Sequence, residues 1–177
     1  GTGKTTMVKV IAEYLAQSRD VYLMAPTGRA ARVLSAKTGR LAVTIHKAIY
    51  EKACVVSKNV KDVAEAEFKF VFPVRKNEYG GKIVAIVDEA SMVCSRKIEH
   101  ELFEFGTDNL MEDLLDFVRP DFGGKVIFVG DPAQLPPVGE NVSNALRTSY
   151  FEERGLKAVE VELTEVLRQK GDSVVLK

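Results

Sequence analysis

The chain starts with Gly1-Thr2-Gly3-Lys4-Thr5-Thr6 and continues directly into a helical pattern of apolar residues. Gly3, Lys4 and Thr5 match the end of the phosphate-binding loop G-x-x-x-x-G-K-[ST], whose first glycine is expected three residues before Gly1. Such a loop turns backbone N–H groups and the positive end of the next helix toward phosphate oxygens. Lys4 is then expected to reach the β- and γ-phosphates, and the Thr5 hydroxyl to ligate Mg²⁺. The alternative is a glycine-rich turn that only caps a helix.

Length and composition indicate an ordinary soluble domain. The chain has 177 residues, enough for one domain with a small insertion, and is 46% apolar and 28% charged. No apolar run approaches the roughly 20 residues that cross a membrane, so no membrane partner is expected. Cys54 and Cys94 are too few for a disulfide framework or a metal cluster, and we expect a cytoplasmic location.

Charge is balanced overall but unevenly distributed. Lysines plus arginines and aspartates plus glutamates number 25 each. Six basic residues and one acid, Glu51, lie between residues 27 and 52. This segment either faces phosphates or is a solvated face, and charge alone favours neither.

Alternating strand and helix patterns predict a parallel α/β sheet flanked by helices. Helices are predicted at 4–18, 29–36, 45–51, 96–105, 109–118 and 142–153, with Thr44 as the N-cap of the third. Strands are predicted at 21–24, 83–87, 126–129 and 159–163. The second of these is apolar throughout, which is typical of a strand buried on both faces.

Residues 52–81 do not fit the alternating scheme. Phe68, Phe70 and Phe72 alternate with other residues, which predicts a strand with one aromatic face, and Gly80-Gly81 closes the segment as a turn. We interpret this segment as a small inserted β-rich subdomain or hairpin. The alternative is an edge strand of the main sheet.

Polar residues follow the carboxyl ends of the predicted strands, where open α/β sheets bind ligands. Asp88 is expected to complete the Mg²⁺ shell with Thr5, and Glu89 to orient or deprotonate the attacking water. Gln134, on a proline-rich loop, has the right chemistry to contact the γ-phosphate. Arg168 can supply positive charge to the transition state.

Six segments in order resemble helicase motifs I, Ia, Ib, II, III and IV. They are GTGKTT (1–6), APTGRAA (25–31), TIHK (44–47), IVDEASMV (86–93), GDPAQLPPVG (130–139) and LTEVLRQ (163–169). The chain therefore resembles superfamily 1B DNA helicases of the RecD-like and Dda-like type, which include the alpha subunit of exodeoxyribonuclease V. The resemblance spans nearly the whole chain.

The resemblance implies a RecA-like P-loop fold that binds ATP and Mg²⁺. It implies that residues 1–6 and Asp88 bind the nucleotide, with Thr5 and Asp88 on the metal, and that Glu89, Gln134 and Arg168 are catalytic. It also implies that single-stranded DNA is contacted by Pro26, Thr27, Gly28, Arg29 and His46. For His46, a buried, hydrogen-bonded structural histidine is the alternative.

The resemblance also implies an organisation. Residues 1–177 correspond to the first motor domain (1A), and residues 52–81 correspond to a pin-like subdomain (1B) that separates strands. A second motor domain (2A) is expected after Lys177, so residues 1–177 alone are not expected to unwind DNA. Movement 5′ to 3′ and a role in DNA repair or recombination, with nuclease-complex subunits as further partners, rest on the resemblance.

Three alternatives stay open. One is a non-motor P-loop enzyme. The guanine-reading N-K-x-D motif is absent, because residues 59–62 contain Asn, Lys and Asp in a different arrangement. Another is a DNA-binding or scaffolding subunit with a vestigial nucleotide site, which the intact Lys4, Asp88, Glu89 and Gln134 argue against. The third is an RNA helicase of superfamily 1.

Overall fold

The computed structural model describes residues 3–58, 67–78 and 80–163. Its central sheet has four parallel strands, which are β1 (Asp20–Ala25), β2 (Ala42–Thr44), β5 (Ile83–Val87) and β7 (Lys125–Phe128). Their order across the sheet is β2-β1-β5-β7. This arrangement confirms the predicted α/β fold of the P-loop type.

Helices cover both faces of the central sheet. Helices α1 (Lys4–Leu15) and α2 (Gly28–Thr38) pack on one face, and α3 (Ile45–Ile49) and α4 (Leu110–Val118) pack on the other. Along β5, Val84 and Ile86 pack in the core formed with α1 and α2, and Ile83, Ala85 and Val87 pack in the core formed with α3 and α4. Every residue of β5 is at most 1% exposed, because a parallel strand between two helical layers meets no water.

The register brings the carboxyl ends of three strands to one edge. Met24 of β1 lies beside Val87 of β5, which lies beside Phe128 of β7. Past the strand ends, the Asp88 N–H donates to the Met24 carbonyl at 2.9 Å. The loops that follow β1, β5 and β7 therefore leave the sheet side by side.

A second sheet shares no strand with the central sheet. Strand β3 (Cys54–Lys58) pairs antiparallel with β4 (Glu67–Phe72), and β4 pairs parallel with β6 (Phe103–Phe105). We call these three strands the accessory sheet. The segment predicted as an insertion supplies two of the strands, and its residues 59–66 and 79 lie outside the described residues.

The predicted helix at 96–105 is wrong. Residues 96–102 have no regular structure, and the following residues form β6. Phe103 stacks on Phe70, with ring centroids 5.8 Å apart, and Phe105 stacks on Phe72 at 4.4 Å. Pairing with β4 and these ring contacts outweigh the local helical pattern, because strand stability comes largely from cross-strand packing.

Two predictions near the end of the described chain also need correction. The helix predicted at 142–153 is broken into a 3₁₀ turn (Asn144–Leu146) and α5 (Thr148–Glu152), because Arg147 between them has an extended backbone. The strand predicted at 159–163 does not form, and its valines are largely exposed. These five residues have no neighbouring strand in the described structure, so nothing satisfies their backbone groups as a strand.

The sequence pattern does not predict the short strand β2, because three residues are too few to show the alternating apolar pattern of a strand. Among the described residues the longest helix, α1, has 12 residues, and none is long and apolar enough to span a membrane.

Candidate functional site

Lys4 lies in the first turn of α1 and faces the loop after β7. Its Nζ donates to the Gly130 carbonyl at 3.3 Å and lies 3.9 Å from Oδ2 of Asp131. Gly3, at the N-cap, has a φ of 74°, a left-handed conformation that favours glycine. Thr5 is half-buried and Thr6 exposed, and Gly1 and Thr2 lie outside the described residues.

Asp88 and Glu89 follow β5 directly, as predicted, and both are half-buried. Burial raises the pKa of the Asp88 carboxyl, and a backbone hydrogen bond from Glu89 and the charge of Lys4 oppose this shift. Lys4 and Asp88 therefore share one electrostatic environment. Glu89 has a φ of 53°, which is unusual for a non-glycine residue and stores roughly 1–3 kcal/mol of strain. Such strain is common where a side chain must be aimed at a ligand.

The residues present fit a magnesium–nucleotide complex better than a metal held by protein alone. No cluster of three or more His, Cys, Asp or Glu side chains suited to a metal occurs in the described part of the chain. Mg²⁺ bound with a nucleotide needs only one or two protein oxygens, because phosphates and waters complete its shell. The desolvated Asp88 carboxyl, next to the first turn of α1 that carries the Thr5 hydroxyl, fits that requirement.

The loops after β5 and β7 are joined by backbone and side-chain bonds. The Ala90 N–H donates to the Val129 carbonyl at 2.9 Å. The Ser91 hydroxyl donates to Oε1 of Gln134 at 3.1 Å. Gln134 itself is exposed and stands in a tight turn, its N–H donating to the Asp131 carbonyl at 3.0 Å.

The structure thus brings together Lys4, Asp88, Glu89 and Gln134 at one edge of the sheet. Arg168 and the rest of the segment 164–169 lie outside the described residues. Sequence patterns assigned no role to Asp131 beyond its position after β7, and none to Ser91. The available signal for Ser91 is a hydroxyl within the apolar run after Asp88-Glu89.

The predicted DNA-contacting residues Pro26 to Arg29 form the turn from β1 into α2. Thr27 is the N-cap, and its Oγ1 accepts a hydrogen bond from the Ala30 N–H at 3.2 Å. Thr27, Gly28 and Arg29 are exposed, and a Cβ added at Gly28 meets nothing within 4 Å. This glycine is therefore not required by packing, and it leaves the backbone accessible from outside.

His46 lies on α3, where the central domain meets the accessory sheet. The residue is exposed, but one side of its ring packs against Phe105 and Tyr50, with centroids 5.4 and 5.6 Å away. Burial lowers the pKa of His46, and the Asp113 carboxylate opposes the shift. The ring therefore packs on the accessory sheet, and no hydrogen bond joins it to another described residue.

Several known proteins and one family model are similar to this chain. The family model described as "AAA domain" matches residues 1–175. The chain is 32% identical over 178 residues to the ATP-dependent RecD2 DNA helicase of Deinococcus radiodurans, covering 99% of this chain and 19% of that protein. It is 30% identical over 180 residues to the ATP-dependent DNA helicase dda of phage T4, covering 97% and 34%.

A third relative is the uncharacterized protein MJ1519 of Methanocaldococcus jannaschii. It is 34% identical over 147 residues, which are 78% of this chain and 11% of that protein. The chain therefore spans only about a tenth to a third of the length of these three curated relatives.

Proposed function

The chain belongs to the AAA domain family, as a first motor domain of the superfamily 1B helicase type, and on this premise we propose a DNA motor. The complete gene product that contains residues 1–177 would hydrolyse ATP to move 5′ to 3′ along single-stranded DNA. The helicase names of two relatives support the reaction and the polymer.

One observation carries the proposal: the convergence of Lys4 with the loops after β5 and β7. Its Nζ rests 3.3 Å from the Gly130 carbonyl and its charge reaches Asp88. Lys4 would move only from these oxygens to the β- and γ-phosphates. A turn that only caps a helix has no need to place an ammonium group among the loops of two other strands.

The remaining roles follow from position. Bound Mg²⁺ would neutralise developing phosphate charge, with Thr5 and Asp88 as its protein ligands. Glu89 would orient the attacking water and accept its proton, and Gln134 would contact the γ-phosphate. Arg168 stays a prediction as the residue that stabilises the transition state.

The turn at Pro26 to Arg29 would contact the DNA backbone. Exposed backbone N–H groups and a guanidinium suit phosphates and carry no base preference. His46 would contact the same strand as a neutral ring, since burial holds its pKa below the usual 6.5. It would act by stacking or hydrogen bonding rather than as a cation.

The accessory sheet would serve as the pin-like subdomain. Its aromatic face and its separation from the central sheet suit a wedge that meets bases at a duplex junction. Unwinding would require a second motor domain, so residues 1–177 alone should not open a tailed duplex. A role in repair or recombination, within a nuclease complex, stays a prediction.

The test is ATP hydrolysis by the complete gene product, alone, with single-stranded DNA and with an RNA of the same length. We expect strong stimulation by DNA and little by RNA. Duplexes with 5′ or 3′ tails then test the polarity. Lys4→Ala is the control that should abolish turnover.

Two other outcomes of this test would indicate a different function. Stimulation by RNA alone would indicate an RNA motor. Turnover that ignores both polymers would contradict a nucleic-acid motor and favour a non-motor P-loop enzyme.

A further inference from the structure

Ser91 is a polar side chain with no access to solvent, at 0% exposure. Its hydroxyl donates to Oε1 of Gln134 at 3.1 Å, across 43 positions of the chain. Gln134 is exposed, so its amide could be solvated without this bond. A buried hydroxyl costs free energy unless it is hydrogen-bonded, so this partner stabilises Ser91 and holds the amide.

In the structure this bond occupies the carbonyl end of the amide. A glutamine side chain has a carbonyl oxygen that accepts and an NH₂ group that donates. Because Ser91 holds Oε1, the NH₂ group is the end that remains available outside the protein. Phosphate oxygens only accept hydrogen bonds, so this is the end that a γ-phosphate requires. If the amide were reversed, its carbonyl oxygen would face the phosphate oxygens, and both are hydrogen-bond acceptors.

The backbone around this pair leaves little room for adjustment. The Ala90 N–H is bonded to the Val129 carbonyl at 2.9 Å. A Cβ added at Gly130 would lie 3.1 Å from the Ser91 nitrogen and 2.9 Å from the Leu146 methyl groups, so the two loops are in close contact. The Ser91 end of the bond is therefore held by packed backbone, and the Gln134 end by the turn that its N–H closes with the Asp131 carbonyl.

We propose that Ser91 is a positioning residue that orients the Gln134 amide, so that its NH₂ group meets the γ-phosphate. This inference rests on the proposed ATPase function and adds a residue to it. Ser91 does not touch the nucleotide and acts only through Gln134. Its loss should therefore lower turnover and leave the affinity for ATP nearly unchanged, because Lys4 and the P-loop provide most of the binding.

The test is a double-mutant cycle in the complete gene product, measured as DNA-stimulated ATP hydrolysis. The proteins are wild type, Ser91→Ala, Gln134→Ala and the double variant. We expect Ser91→Ala to lower kcat roughly 2- to 13-fold, the range of one neutral hydrogen bond, with KM for ATP changed less than about 3-fold. The double variant should match Gln134→Ala, since Ser91 has no other route to the reaction.

Gln134→Glu tests the orientation directly. A carboxylate still accepts the Ser91 hydrogen bond, but it presents an oxygen to the phosphate. Its kcat should fall at least as far as that of Gln134→Ala. A kcat close to wild type would overturn the proposed orientation.

Ser95→Ala is the matched control. Ser95 lies four residues later, and its hydroxyl donates to Oε2 of Glu140 at 2.7 Å and accepts from Nδ2 of Asn144 at 2.8 Å, neither of which is part of the Ser91–Gln134 pair. This variant should keep the wild-type kcat. A Ser91→Ala defect that persists in the Gln134→Ala background overturns the inference and leaves the DNA-stimulated ATPase standing. A wild-type protein without ATPase activity overturns both.

Discussion

The central sheet has helices on both faces, whereas the described residues cover the accessory sheet only where it meets the core. β5 is at most 1% exposed, but Phe68 is 55% and Phe103 43% exposed on the aromatic face of the accessory sheet. Phe72 and Phe105, at the other end of that face, pack against the core. One sheet buries its apolar side chains to hold loops in place, and the other presents them outward. We therefore expect chemistry to depend on the first and contact with a nucleic-acid junction on the second.

The largest effect should come from the edge of the central sheet. Glu89→Gln removes the proposed proton acceptor with little change in shape, and we expect kcat for ATP to fall roughly 10²- to 10⁴-fold. Binding of a non-hydrolysable ATP analogue should be retained. Phe68→Ala on the accessory sheet is the contrast and should leave DNA-stimulated hydrolysis within about 2-fold. Equal losses in the two variants would contradict the division of labour.

Truncating a side chain should lower the free energy of unfolding more in the central sheet than in the accessory sheet. Ile86→Ala removes a fully buried side chain between two helical layers and should lower the free energy of unfolding by roughly 2–5 kcal/mol. Phe68→Ala, at a side chain more than half exposed, should cost less than about 1 kcal/mol. Urea unfolding of both variants measures the difference. A larger loss for Phe68 would show that another surface covers it in solution.

A DNA-binding measurement tests the proposed contact between the turn at Pro26 to Arg29 and the DNA backbone. Arg29→Ala removes one exposed guanidinium, and we expect single-stranded DNA affinity to fall to a similar extent for all sequences. The slope of log affinity against log salt should decrease by about one ion, because one phosphate contact is lost. Lys9→Ala, on the exposed side of α1, is the charge-matched control. A loss confined to some sequences would contradict the backbone-contact proposal.

The two sheets also differ in how far the sequence predicts them. β5 was predicted with its observed ends, and Thr44 as the N-cap of α3, because an apolar run and a cap are local signals. β6 was missed because its partner β4 lies about 30 residues earlier, and no local pattern shows that Phe103 stacks on Phe70. Strand pairing between distant segments is decided by tertiary contacts, which override local propensity.

The same difference between local signals and contacts of distant segments applies to the candidate site. The residue types at the ends of β5 and β7 are local motifs, so the positions of Asp88, Glu89 and Gln134 after these strands could be predicted from the sequence. The contact between Lys4 and the Gly130 carbonyl and the bond from Ser91 to Gln134 join segments 126 and 43 positions apart. Such contacts depend on the packing of α1 on the sheet and on the register of β5 against β7, and no local sequence pattern specifies either.

The smallest effect concerns the junction between the two sheets, where the His46 ring packs on Phe105. Burial lowers the pKa of His46, so the unfolded chain takes up this proton at a higher pH than the folded protein does. The free energy of unfolding should therefore fall as the pH drops below about 6.5, the usual pKa of a histidine, and level off below the folded-state pKa. His46→Gln should remove this part of the pH dependence in urea unfolding at pH 7.5 and 5.5. The matched control is His100→Gln, since His100 is the other histidine of the chain and is exposed. If both variants kept the same difference between the two pH values as wild type, the packing of His46 at the junction would not contribute to stability.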